Sequence, residues 1–91
     1  MAEFNNTQKT ILWAMDICLR EIVRLLVKYR IPASTIYRIM RHHYINEAKS
    51  VFEKDGVAPN HSKISQVTGL ARRDVAKYEA EGYPVDLSGT N

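Results

Sequence analysis

The chain is expected to fold as an all-α domain of four helices. Two observations predict this. Apolar residues recur at three- and four-residue intervals over most of the chain, and no segment alternates strictly enough to commit to a strand or a β-hairpin wing. Pro32, Gly56, Pro59 and Gly69 then divide the pattern into segments of helical length.

The first segment opens at Asn5 or Thr7, either of which suits an N-cap. Ile11, Met15, Cys18, Ile22, Leu25 and Tyr29 form one stripe, and Leu12, Leu19, Val23 and Leu26 form a second beside it. So wide a face predicts a central helix packed on two sides, or a helix sharing part of its surface with another subunit. Trp13 and the Leu25–Leu26 pair are the first probes of such an interface. Pro32 is expected to end this helix, because proline disfavours helical backbone at Ile31.

Ser34 then offers a cap for a second helix over about 34–54, with Ile36, Tyr37, Ile39, Met40, Tyr44, Ile45, Ala48, Val51 and Phe52 as its apolar positions. Gly56 is the expected C-cap. Asn60 or Ser62 caps a short third helix, SKISQVT, and a fourth runs over about 71–81. The domain is drawn over 1–82. Beyond it, YPVDLSGTN lacks periodicity and is expected to be a flexible tail or truncated linker.

Ninety-one residues are enough for one modest core. The net charge of +3 is mild, but its distribution is uneven. Arg20, Arg24, Lys28, Arg30, Arg38 and Arg41 face a single acid, Glu21, between 20 and 41, and Lys63, Arg72, Arg73 and Lys77 form a second basic group. The lone Cys18 predicts a small buried hydrophobe in a reducing compartment. The polar first ten residues do not read as a leader, and Asp16, Arg20, Glu21 and Arg24 interrupt the longest apolar run. A cytoplasmic protein without a membrane span is expected. His42, His43 and His61 lack ligand spacing, so no metal is expected, and the three are read as surface or partly buried. Without a phosphate loop, a nucleophile–base pair or paired acids, neither an enzyme, a cofactor nor a small-molecule ligand is expected.

The most informative stretch is ISQVTGLARRDVAKY. A helix-turn-helix needs a small residue where its helices cross, a left-handed turn, a hydrophobic plug after it, and an apolar residue returning from the second helix. Ser65, Gly69, Leu70 and Val75 stand in those places, with Tyr78 one turn later and Ile64 and Val67 as the inner face of the first helix. On these residues the chain resembles the helix-turn-helix superfamily of transcription regulators, whose members often carry a motif like IAxxTGLSxxTV. More broadly, NTQKTILWAM, REIVRLLVKYRI, VFEKDG and SKISQVTGLARRDV together look like the N-terminal region of a bacterial family of uncharacterised activity with a predicted winged-helix-like or helix-turn-helix start.

The resemblance implies sequence-specific binding of double-stranded DNA by a bacterial transcription regulator. Arg72, Arg73 and Lys77 would meet base edges beside Ala76, since arginine pairs bidentately with guanine. Ser62, Lys63 and Gln66 would touch phosphates. Ala71 departs from the usual Ser or Thr cap, at a cost of about 1 kcal/mol, and Asp74 would repel a phosphate if it faced one. A rival segment, IPASTIYRIM, places Arg38 and Arg41 on a helix, but Arg30 stands where its turn wants glycine and Leu26 is bulky at the crossing; its cations remain available for flanking phosphate contacts. A homodimer through the first helix is expected, because one recognition helix makes few base contacts. The alternative function is a protein-interaction module on the same scaffold, and RNA binding is a third.

Overall fold

The computed structural model describes residues 3–82, so the expected tail at 83–91 lies outside the described residues. The described residues are all-α: α1 (Asn6–Lys28), α2 (Ala33–Lys54), α3 (His61–Thr68) and α4 (Arg72–Glu81), with no strand among them. The chain divides into two compact units, Met1–Pro32 and Ala33–Asn91.

The first unit is built on α1. Asn5 caps it through a reciprocal box: its side chain accepts from the Gln8 amide at 2.7 Å, and its own amide donates to the Gln8 side chain at 2.9 Å. The other end stops at Arg30, ahead of the proline. The Arg30 amide donates to Val27 and the Ile31 amide to Leu26, while Arg30 takes φ = 58°. These are the paired bonds of a Schellman ending, with arginine in the left-handed position that glycine fills at least cost. Pro32 follows directly on this ending, at a place where proline keeps a helix from continuing.

No residue of α1 is buried, so the expected central core helix is corrected. Cys18 is likewise exposed rather than buried. Two exposed ion pairs, Arg20–Asp16 and Arg24–Glu21, both at 3.3 Å, line the charged side of the helix. Such pairs contribute only about 0.3–0.5 kcal/mol each.

In the second unit, α2, α3 and α4 pack on one another around Ile45, Ala48, Ile64, Val75 and Tyr78, with Phe52 and Leu70 against that cluster. Ile64 and Val75 are 1% and 0% exposed. Each such side chain contributes about 1.5–3 kcal/mol. That burial is what makes α4 possible, because isolated helices shorter than about 12–15 residues are marginal in water.

α2 begins at Ala33, so Ser34 lies inside its first turn and is not its cap. The inner face of α2 is His42, Ile45 and Ala48, whereas Tyr37, Tyr44 and Val51 are more than half exposed. His42 is buried at 7%, with its ring edge-on to Tyr78 at 5.8 Å, where a surface or partly buried residue was expected. The end of α2 follows the expectation at Gly56, whose φ is 73°. No helix among the described residues is long and apolar enough to cross a membrane.

Candidate nucleic-acid interface

The candidate site is built on α3, the connection Gly69–Leu70–Ala71, and α4. Asn60 caps α3, its side chain accepting from the Lys63 amide at 2.8 Å. Gly69 ends the helix at φ = 78°, and its amide donates to the Ser65 carbonyl at 2.9 Å. Two hydroxyls then fix the turn. Ser65 Oγ donates to the Leu70 carbonyl at 2.5 Å, and Thr68 Oγ1 accepts from the Leu70 amide at 3.2 Å. Ser65 thus does more than leave room at the crossing, since it ties the helix to the residue beyond the glycine. Leu70 is half-buried against the core, as expected of a plug.

Val67 was expected on the inner face of α3, but it is 62% exposed. The inward positions are Ile64 and, half-buried, Ser65 and Thr68. Helical spacing puts Val67 on the same outer side as Lys63. Ser62 and Gln66 are exposed there too, while Lys63 is half-buried with its Nζ 3.4 Å from the Ala58 carbonyl.

On α4, Val75 and Tyr78 point into the core. At about 100° per residue, Arg73 and Lys77 fall opposite them, with Ala80 and then the half-buried Ala76 on the Arg72 side of Arg73. Both cations are exposed. Arg72 is exposed on one flank, the side of Glu79, and Asp74 is half-buried on the other. Asp74 lies in the first turn, where a carboxylate offsets the positive end of the helix. Ala71 caps α4 with extended backbone (φ = −66°, ψ = 145°) and no side-chain hydrogen bond, as its methyl group requires.

The structure therefore separates the residues expected to read bases. Arg73 and Lys77 share a face and Arg72 stands beside it. Lys77 has a further set of neighbours. Its Nζ lies 6.0 Å from the centre of the Tyr78 ring, and with Arg38 and Arg41 of α2 it lines one cavity. Arg41 Nη1 donates to Tyr78 Oη at 2.5 Å. Sequence spacing could have linked Ser34 to Arg38 and Tyr37 to Arg41 as pairs four apart on α2. That these meet Lys77 depends on how α2 and α4 pack, which no local pattern encodes.

The far side of α4 is held differently. Glu79 lies 3.6 Å from Lys49 Nζ and 4.0 Å from His61 Nε2, so this carboxylate gathers groups from all three helices. The basic face is consequently left to Arg73 and Lys77, with Glu79 turned from it. Comparison of the chain with family models, curated proteins and solved structures finds no match to any of them.

Proposed function

We propose that the second unit binds double-stranded DNA through a helix-turn-helix formed by α3 and α4, and that the protein acts in transcription regulation. The observation that carries this reading is the outward pairing of Arg73 and Lys77 opposite the buried Val75 and Tyr78. α4 enters the major groove, Arg73 contacts base edges, and Arg72 approaches from the flank. Ser62, Lys63 and Gln66 on the outer side of α3 meet phosphates and set the register. A selection of bound sequences from random duplex DNA tests this. Arg73→Ala is expected to relax the preference at one base pair, worth about 1–3 kcal/mol of discrimination. A wild-type chain that recovers no preferred sequence contradicts specific recognition.

A separate observation favours an association role for the first unit. Ile11, Met15, Cys18, Ile22, Leu25 and Tyr29 follow the alternating four- and three-residue spacing of a coiled-coil seam. Leu12, Leu19, Leu26 and Val23 widen it, and the arc contains no charge. Trp13 lies on the opposite, charged side, so Leu25 and Leu26 are the better probes. Ile11, Leu12, Met15, Ile22, Val23, Leu25 and Tyr29 are 39% to 67% exposed. At on the order of 100 Å² apiece, they approach the roughly 800 Å² per partner of a standard interface. The proposed occupant is α1 of a second copy, giving a dimer with paired DNA-binding units.

A further inference from the structure

We infer that the cavity between the N-terminal half of α2 and the C-terminal half of α4 is a clasp for a backbone phosphate, built from Arg38, Arg41 and Lys77. This deepens the DNA-binding reading above and rests on it. The cavity holds about 320 Å³, and three of its lining residues are cations. Arg38 and Arg41 enter it from α2, Lys77 from α4, and the only carboxylate among its lining residues is Glu81. None of the three cations takes part in an ion pair among the described residues. Against the single carboxylate of Glu81, the three cations leave the described lining with a surplus of positive charge, which is the condition for attracting an anion.

Two of the cations also have a partner in Tyr78. Arg41 bonds Tyr78 Oη and lies 5.4 Å from the centre of that ring, so the buried tyrosine orients its guanidinium. Lys77 approaches the same ring. Ser34, in the first turn of α2, adds a hydroxyl at the end of the helix that carries positive partial charge. Tyr37 supplies an apolar wall suited to the sugar beside a phosphate.

Continuity with the reading face makes the ligand a phosphodiester of the duplex and not a detached anion. Lys77 is one helical turn from Arg73 on the outward side of α4, a rise of about 6 Å. A strand whose bases meet Arg73 is thereby brought to the mouth of the clasp. Lys77 is accordingly assigned to the phosphate, and base reading is left to Arg73 and Arg72. The clasp also gives Arg38 and Arg41 a definite role.

The test uses the full chain and two duplexes, a selected one and its scrambled form, with affinity measured against KCl concentration. Arg38 and Lys77 are exposed and outside the core, so Arg38→Gln and Lys77→Gln leave packing intact. Each is expected to weaken both duplexes by a similar factor and to make the log–log salt slope shallower by about 1. Glu81→Gln removes the opposing charge and is expected to tighten both duplexes two- to threefold, a gain that misfolding cannot imitate. Unchanged slopes, or a loss confined to the selected duplex, overturn the clasp while leaving DNA binding standing. Inorganic phosphate forms the other arm. If it perturbs the Arg38 and Lys77 resonances at millimolar concentration while the variants leave duplex slopes unchanged, the site serves a free phosphate and the clasp is wrong. A wild-type chain with no duplex affinity removes both readings together.

Discussion

Arg41 and Tyr78 are joined twice: the guanidinium donates to the phenolic oxygen at 2.5 Å and also lies 5.4 Å from the centre of the ring. Tyr78 is 7% exposed, so one residue is both part of the core and the support of a surface cation. Tyr78→Phe should keep the packing and remove the hydrogen bond, lowering stability by about 0.5–1.5 kcal/mol in chemical denaturation. Tyr78→Ala should cost about 3–5 kcal/mol, because it also empties a core position. Equal losses from the two substitutions would mean that the ring packing contributes little.

The turn between α3 and α4 can be probed without touching the core. Nothing lies within 4 Å of a Cβ built on Gly69, so Gly69→Ala introduces no clash. Its cost comes from the backbone alone, with φ held at 78°, and should be about 1–2 kcal/mol. An unchanged melting temperature would show that the connection rearranges freely.

Ala71 offers a gain. Its backbone already has the extended form of an N-cap, but its side chain accepts nothing. Ala71→Ser should stabilise the second unit by about 0.5–2 kcal/mol by satisfying an amide in the first turn of α4. Denaturation midpoints of the two chains give the comparison directly, and a lower midpoint for the variant would contradict the cap geometry.

Self-association should depend on the centre of the α1 arc. Ile22 is 50% exposed, so Ile22→Asp disturbs no buried packing in the single chain. It should abolish a dimer detected by light scattering or sedimentation, whereas Trp13→Ala on the opposite side should leave it intact. A wild-type chain that stays monomeric at high concentration removes the proposed interface.

What the sequence made legible is what local chemistry decides. Asn5, Asn60, Gly56 and Gly69 act within a few residues of themselves, so their capping and turn roles follow from residue type and spacing. The inner positions Ile64, Val75 and Tyr78 were also readable, because the turn residues fix the register of both helices around them. The failures are tertiary. Cys18 and the α1 stripes looked like core because an apolar arc reads alike whether its partner is the same chain or another. Val67 and Ile64 are both apolar and three residues apart, and which of the two turns inward is set by the crossing of α3 with its neighbours. His42 is buried through its contact with Tyr78, thirty-six residues later in the chain. Within the candidate site, the outward cations of α4 were legible from helical period, whereas their meeting with Arg38 and Arg41 required the packing of α2.

The account stands most directly on the affinity of the whole chain for duplex DNA as salt is raised. Four cations, Lys63, Arg38, Arg41 and Lys77, are assigned to phosphates, which predicts a log–log slope of about −3 to −4 for each bound unit. Tight binding at low salt that falls along such a slope is the expected result. No measurable binding to any duplex at the lowest salt would contradict the central claim.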